Sequence, residues 1–277
     1  MDLILNFFDE FLFTPHVYPA TWSQDWWLRQ YLSLFIIVTV ASYLMYFALS
    51  GLSYLFIFDK KLRQHPKFIK NQEILEIKVT IKTIPVISLI TNIIFLLEVR
   101  GCSRLYNNVQ DSTYGWPSII LNGIFFIFFT DMLIYWIHRG LHHKLFYKRF
   151  HKLHHKWIIP TPFASHAFHP LDGFSQSLPY HIYVFLFPIH KIEYLCLFII
   201  VNIWTVSIHD ADYRVADGLK PFINGSAHHI DHHYHFNYNY GQFFTLWDRI
   251  GGSFRHPSAF ENQDPKSLIN AIQDKKE

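Results

Sequence analysis

Histidine is concentrated in one stretch of this chain. Sixteen of the 19 histidines lie between His138 and His235. Three compact boxes stand out there, and each holds histidines three or four residues apart: His138-x3-His142-His143, His151-x2-His154-His155 and His229-x2-His232-His233. Imidazole is a ligand for iron, zinc, copper and nickel. Clustered histidines repel one another when protonated and contribute little to packing, so the boxes predict a metal centre.

The number of histidines predicts two metal ions rather than one. A single ion takes about four to six ligands, whereas the boxes offer eight or nine imidazoles. On a helix, His138 and His142 differ by about 40° and share a face, while His143 is turned about 140° away from His138. Both His142 and His143 therefore remain candidates. In the second and third boxes the i, i+3, i+4 spacing again places the histidines on one side of a helix.

Three further residues are candidates for holding ligand imidazoles in place. Asp131 lies within about 20° of His138 on the predicted helix face, and an ionisable residue inside a membrane segment is a functional candidate. We expect it to orient a ligand imidazole. His166 and His228 are further candidates for this supporting role.

The segments that carry these residues are apolar enough to enter a bilayer. Residues 31–58 contain no charge, and a membrane-spanning helix needs about 20 apolar residues. Further apolar runs cover 83–97 and 116–130. A fourth region, 174–208, is interrupted by two prolines and three polar residues, namely Pro179, Pro188, His190, Lys191 and Glu193. We therefore predict an all-α integral membrane protein with about four transmembrane helices, the last a bent hairpin.

Basic residues predict the orientation of these helices, because positively charged loops tend to stay in the cytosol. Only Arg29 lies near the start of the first span, whereas five basic residues follow it: Lys60, Lys61, Arg63, Lys67 and Lys70. The N-terminus is thus expected in the lumen. All three boxes then fall on the cytosolic side, as a helical cap that holds the dimetal centre.

The composition excludes several other classes. The net charge of +3 and the scattered basic residues do not indicate nucleic-acid binding. Two cysteines are too few for a disulfide framework or a cysteine-rich zinc site. We expect one membrane-embedded domain over 1–277, with a histidine-box catalytic region at 131–255 and a polar tail from about 264. No G-x-G-x-x-G fingerprint for a flavin or nicotinamide follows a predicted strand, so electrons must come from another protein.

The boxes resemble the signature of the fatty acid hydroxylase superfamily. Flanking blocks are similar to the sterol C5-desaturase family within it: YWIHRGLHH (135–143), TPFASH (161–166), NYNYGQ (237–242) and LWDR (246–249). The resemblance runs through nearly the whole chain and includes YPATW (18–22).

This resemblance implies a diiron centre in the endoplasmic reticulum membrane, facing the cytosol. The implied ligands are His138, His142 or His143, His151, His154, His155, His229, His232 and His233, with His209 at the end of the last membrane helix. Fatty acid hydroxylase relatives have another histidine where this chain has Tyr213. No catalytic residue apart from the metal ligands is implied.

The implied reaction introduces a double bond between carbons 5 and 6 of a Δ7-sterol and turns lathosterol into 7-dehydrocholesterol. Dioxygen is the co-substrate of this step in cholesterol biosynthesis. Cytochrome b5 and its NADH-dependent reductase supply the electrons. Five basic residues lie beside the second box: Lys144, Lys148, Arg149, Lys152 and Lys156. They could dock such a carrier, or they could equally enforce topology and contact anionic lipid.

Two other readings remain open. The chain could be a related oxidase, either a sterol C4-methyl oxidase or a fatty acyl hydroxylase. It could also be a metal-ion transporter, although a transporter places its ligands near the middle of the bilayer. Here the boxes lie at helix ends, and only His181 and His190 in the predicted hairpin favour transport.

Overall fold

A computed structural model describes residues 1–213 and 215–261, together with Pro265, Ser267 and Ile269. Within those residues the fold is helical almost throughout. The α-helices are α1 (Asp2–Phe8), α2 (Thr14–His16), α3 (Trp27–Phe56), α4 (Gln72–Val99), α5 (Trp116–Leu141), α6 (Pro170–Leu186), α7 (Lys191–Ser207), α8 (Ser226–His235) and α9 (Leu246–Ile250). The two strands, β1 (Leu105–Tyr106) and β2 (Ile189–His190), form one short parallel pair. The predicted polar tail lies almost entirely outside the described residues.

Three helices are long and apolar enough to cross a membrane, which confirms the prediction of membrane helices. They are α3, α4 and α5, with 30, 28 and 26 residues. The helices α3 and α4 run antiparallel, as two hydrogen bonds between them show. The Tyr31 hydroxyl donates to the Leu89 carbonyl, and the Tyr43 hydroxyl donates to the Ile81 carbonyl. Small polar residues such as Ser50 are buried between helices, while large apolar ones face outward, as is usual in membrane bundles.

The predicted hairpin is formed by α6 and α7, each of 17 residues, and the break between them lies at 187–190. The prediction that Pro179 interrupts the region was wrong, because α6 continues through it. A proline inside a helix removes one backbone hydrogen bond. Its neighbours Tyr180, Tyr183 and Val184 belong to the largest apolar core, and their burial offsets that loss. Neither α6 nor α7 reaches the length of the three candidate spans, so a fourth membrane crossing remains a proposal.

The histidine-rich segments form a cap on one end of the long helices. The segment after α5 is fixed to the first turns of α4, where the Gln72 side-chain amide donates to the Ile159 carbonyl and the Thr161 hydroxyl to the Glu76 carboxylate. The indole of Trp157 is fully buried beneath the same segment. The cap is therefore held rigidly against the membrane helices.

Candidate metal centre

Nine of the ten predicted ligand histidines converge in two clusters. The five-histidine cluster contains His138, His142, His151, His155 and His232. The four-histidine cluster contains His154, His209, His229 and His233. Within each cluster the candidate ligand atoms all lie within 4.8 Å of one another.

The elements that carry these histidines are less regular than the spacing predicts. His138 lies in the last turn of α5, and the third box lies on α8, as expected. The second box is different: His151 ends a π-helical turn (Tyr147–His151), and a separate 3-10 turn (His154–Lys156) follows. This box therefore does not form one face of a single helix.

Adjacent histidines go to different clusters. His154 joins the four-histidine cluster and His155 the five-histidine cluster, and His233 and His232 divide in the same way. Side chains of consecutive helical residues diverge by about 100°, so two neighbours cannot both point at one centre. The two clusters consequently lie side by side, with the ring centroids of His155 and His233 only 4.8 Å apart.

His209 follows α7 and brings a fourth imidazole to its cluster. Its Nδ1 donates to the Thr205 carbonyl at 2.7 Å, and its Nε2 lies 3.0 Å from Nε2 of His229. Tyr213, at the position where the resemblance implies a histidine in relatives, packs against an apolar cluster that includes Phe58.

Hydrogen bonds on the far side of the rings fix which nitrogens face the cluster centres. His138 Nδ1 donates to the Tyr240 carbonyl at 2.9 Å, and His151 Nδ1 donates to the Asp172 carboxylate at 2.8 Å. Carbonyl and carboxylate oxygens only accept, so both Nδ1 atoms carry the proton. The two Nε2 atoms, 3.1 Å apart, then present lone pairs to each other, a repulsive arrangement unless a cation lies between them.

The remaining geometry also fits metal ions. For a metal–nitrogen distance of about 2.0–2.1 Å, neighbouring ligand nitrogens lie about 2.8–3.4 Å apart. The Nε2 atoms of His142 and His155 are 3.0 Å apart, and those of His151 and His155 3.1 Å. His232 donates through Nδ1 to the Tyr238 carbonyl, and among the described residues its buried Nε2 has no hydrogen-bond partner. An all-imidazole donor set of this kind suits iron.

The electrostatics favour neutral rings, the form that binds metals. Burial lowers the pKa values of His154, His155 and His229 well below the usual range, and neighbouring histidines lower them further. The same two causes lower the pKa values of His232 and His233. A neutral imidazole keeps one lone pair free for coordination.

His143 lies outside both clusters. Its side chain is exposed, and its Nδ1 accepts a long hydrogen bond of 3.4 Å from the Leu145 amide. The helix α5 ends at Leu141, and His142 follows as its C-cap, still turned inward. Of the two candidates that the spacing left open, only His142 has the position of a ligand.

Asp131 does not contact an imidazole, contrary to the sequence-based expectation. Its buried carboxylate accepts hydrogen bonds from the amides of Gln242, Phe243 and Phe244, at 3.0, 2.7 and 3.1 Å. This fixes the loop whose Tyr240 carbonyl accepts from His138. The expectation failed because the nearest donors to Asp131 come from a loop more than 100 residues away, and helical spacing cannot reveal such a contact.

The other two supporting candidates also lie apart from the clusters. His166 contacts Ser165 and Asn202. His228 is buried against the rings of Phe254 and Phe260, and among the described residues neither of its nitrogens has a hydrogen-bond partner.

Asp172 was missed by the sequence analysis and is the carboxylate that contacts a cluster histidine. It is fully buried near the start of α6, 21 residues after His151, and its other oxygen accepts from the Gln176 side-chain amide at 2.7 Å. A carboxylate that binds the outer nitrogen of a ligand histidine fixes its orientation and raises its basicity. The only sequence signal was an acidic residue in the first turn of a helix, which is common.

Asp172→Asn is expected to lower both metal content and turnover by about 10- to 100-fold, because His151 loses its charged partner. Metal analysis of purified protein and product formation at saturating substrate would measure the two effects. Ser175→Ala, one turn away on α6, is the matched control and should retain both. Full metal content and turnover in Asp172→Asn would contradict this role.

An apolar cavity of about 1050 Å³ leads to the clusters. At one end it is lined by histidines of both clusters, including His138 and His209. Exposed residues of α3 and α7, such as Val40, Leu44 and Ile199, also line it. The cavity therefore reaches the outer surface of the helices, where lipid would lie, and it could admit a large apolar molecule directly from a bilayer.

The basic residues beside the second box lie on the exterior of the cap. Lys144, Lys148, Arg149, Lys152 and Lys156 are all exposed. The ring of Tyr147, in the same segment, lies 5.5 Å from the His142 ring and 5.9 Å from the His155 ring. The segment that carries these basic residues thus also places one side chain, Tyr147, against the five-histidine cluster.

Comparison with known proteins places this site in context. The family profile described as fatty acid hydroxylase matches residues 123–253. The chain is 58% identical over 275 residues to a mouse protein named lathosterol oxidase, covering 99% of this chain and 92% of the mouse protein. It is 59% identical over 272 residues to the human protein of the same name, covering 98% and 91%. A Delta(7)-sterol 5(6)-desaturase of Aspergillus fumigatus is 54% identical over 245 residues, or 88% and 68% of the two chains. No solved structure matches the chain.

Proposed function

The chain belongs to the fatty acid hydroxylase family, and from this premise we propose that it is a membrane-bound sterol desaturase. It introduces the double bond between carbons 5 and 6 of a Δ7-sterol and converts lathosterol to 7-dehydrocholesterol. The observation that carries the proposal is the meeting of two all-imidazole clusters with one apolar cavity. Together with the names of the relatives, this favours oxidation of a membrane-soluble sterol over metal transport.

We assign the nine clustered histidines as ligands of two iron ions, five to one ion and four to the other. When bound, the iron supplies the activation of dioxygen and the removal of two hydrogens from an unactivated carbon pair, which no side chain can perform. His143, Asp131 and His228 are not ligands in this assignment.

The residues of the chain orient and shield this chemistry. Backbone carbonyls of Tyr240, Tyr238 and Thr205 accept from the outer nitrogens of three ligand histidines and so fix their rings. The apolar walls of the cavity exclude water from the reacting carbons. Desaturation removes a hydrogen from each of two adjacent carbons, so the cavity would have to hold both carbon 5 and carbon 6 within reach of the clusters.

Electrons come from cytochrome b5 and its NADH-dependent reductase in this proposal. An acidic carrier would dock on the exposed basic residues of the cap, since opposite charge accelerates encounter. Tyr147, in the same segment as these basic residues, lies against two rings of the five-histidine cluster, and this proximity suits electron entry.

Reversing two of these charges, Lys148→Glu with Arg149→Glu, is expected to slow reduction by cytochrome b5 about tenfold or more at low salt. Because screening weakens the attraction, the difference from the unaltered protein should shrink as ionic strength rises. Stopped-flow reduction kinetics would measure it. Lys60→Glu with Lys61→Glu provides a control of equal charge change elsewhere on the chain. An unchanged rate in the Lys148 and Arg149 variant would remove the docking assignment.

The proposed setting is the endoplasmic reticulum membrane, crossed several times, with the clusters on the cytosolic face. In this proposal residues 1–277 form one membrane-embedded domain, with the catalytic histidine region at 131–255. The basic residues that follow α3 support this orientation.

The function is tested by supplying membranes that contain the protein with lathosterol, NADH and dioxygen. The conjugated diene of 7-dehydrocholesterol absorbs in the ultraviolet and is absent from the substrate, so its appearance reports the reaction directly. A hydroxylated product without the diene would indicate a related hydroxylase instead. Metal uptake by cells that survives loss of the boxes would favour the transporter reading.

A further inference from the structure

Three polar side chains form a group in the wall of the cavity. Ser165 and His166 lie on a 3-10 turn (Pro162–His166), and Asn202 lies on α7, one and a half turns before its end. All three line the cavity together with His209 of the four-histidine cluster.

The contacts of this group require more protons than its members carry. The Ser165 hydroxyl donates to the Pro162 carbonyl at 2.7 Å, and its oxygen lies 3.0 Å from Nδ1 of His166. Burial lowers the pKa of His166 to about 4, so the ring is neutral and carries one proton, on either Nδ1 or Nε2. Only one of the two ring nitrogens can therefore donate to its neighbour.

The second ring nitrogen faces the Asn202 side chain. Asn202 Nδ2 donates to the Phe198 carbonyl at 2.7 Å, which leaves Asn202 Oδ1 directed at His166 Nε2, 3.3 Å away. If the oxygen and nitrogen of the Asn202 amide are exchanged, Oδ1 faces the Phe198 carbonyl, and that contact then lacks a proton instead. In either orientation the group lacks one proton.

We propose that the group binds the 3-hydroxyl of the sterol, which donates its proton to His166 Nε2 and Asn202 Oδ1. This inference rests on the proposed function, because it takes the Δ7-sterol as the substrate. A hydroxyl is the one polar group of such a molecule, and it supplies the single donor that the two acceptors lack. An acceptor left unpaired in an apolar cavity costs free energy, so the hydroxyl also contributes to affinity.

The location of the group agrees with the chemistry of the substrate. Carbon 3, which bears the hydroxyl, belongs to the same six-membered ring as carbon 5, so a site for the hydroxyl must lie close to the oxidising centre. His166 and Asn202 share one cavity with His209 of the four-histidine cluster, which agrees with this requirement. The opposite end of the cavity is lined by apolar residues of α1 such as Leu3 and Phe7, and it suits the hydrocarbon tail.

A neighbouring polar pair does not compete for this role. Gln242 Nε2 donates to Thr205 Oγ1 at 3.0 Å, an ordinary pairing of donor with acceptor. Both residues also line the cavity, but their contact is complete without a ligand. The excess of acceptors over donors among Ser165, His166 and Asn202 is what distinguishes this group from that pair.

The test measures binding of radiolabelled lathosterol and of its 3-deoxy analogue, cholest-7-ene, to purified metal-loaded protein. The unaltered protein is expected to bind lathosterol about five- to tenfold more tightly than the analogue. Asn202→Leu should weaken lathosterol binding by that factor and leave the analogue unaffected. Thr91→Val, which removes a hydroxyl from another wall of the same cavity, is the matched control and should keep the full preference.

A second pair of variants provides an independent test. His166→Leu should lose the preference for lathosterol, while His166→Gln, which retains an acceptor oxygen, should keep most of it. Preservation of the preference in both leucine variants would overturn the proposal. If the unaltered protein converts lathosterol to the diene but binds both sterols equally, this site assignment fails and the proposed function stands. If it forms no diene, the proposed function fails.

Discussion

Replacing His232 by alanine is expected to abolish formation of the diene while leaving the protein in the membrane. His232 is fully buried in the five-histidine cluster, its ring is fixed by the Tyr238 carbonyl, and its Nε2 lacks any partner among the described residues. Losing one ligand removes both a donor to the metal and the constraint on the adjacent His233. We expect turnover to fall more than about hundredfold, beyond the usual effect of losing a ligand's supporting contact.

The control for this variant is His235→Ala, on the same helix α8 but outside both clusters. It should retain near-normal turnover. Metal analysis of both purified variants would show whether loss of product follows loss of iron. Near-normal turnover in His232→Ala would refute the assignment of the third box.

The second large effect is expected when alanine substitutions at two neighbouring histidines are compared directly. His142→Ala should lose most metal from the five-histidine cluster and nearly all turnover, because its ring lies 4.7 Å from that of His155 and 4.6 Å from that of His151. His143→Ala should behave like the unaltered protein, since the His143 side chain is exposed. Iron content and diene formation measure both variants under identical conditions.

This comparison separates a metal site from a general need for histidine in the segment. The two substitutions have the same chemistry and adjacent positions, so they change the side-chain volume and the number of imidazoles alike. Equal losses in both variants, or a larger loss in His143→Ala, would contradict the structural assignment of His142.

The long apolar helices could be predicted from the sequence because the bilayer imposes a length and a composition on each of them. The uncharged run at 31–58 corresponds to α3, and those at 83–97 and 116–130 lie within α4 and α5. The course of α6 through Pro179 could not be predicted in this way. It depends on the packing of Tyr180 and Tyr183 against other helices, which local sequence does not contain.

The grouping of the box histidines could be predicted from the sequence, whereas the contacts that hold their rings could not. Ligand number indicated two ions, and helical spacing placed His138 with His142. It could not show that Asp172 contacts His151, or that Asp131 fixes a distant loop instead. Both contacts join residues brought together only by the folded chain. The exclusion of His143 likewise depends on where α5 ends, and helix ends are the least certain feature of a sequence-based prediction.

The division of adjacent histidines between the clusters has a consequence for how metal is acquired. His154 with His155, and His232 with His233, each join the two sites through one peptide unit, whose Cα atoms are about 3.8 Å apart. In the proposed enzyme, an ion that orders one member of a pair also orders the backbone of the other. We therefore expect the proposed enzyme to take up iron cooperatively, with molecules that hold a single ion remaining scarce throughout a titration.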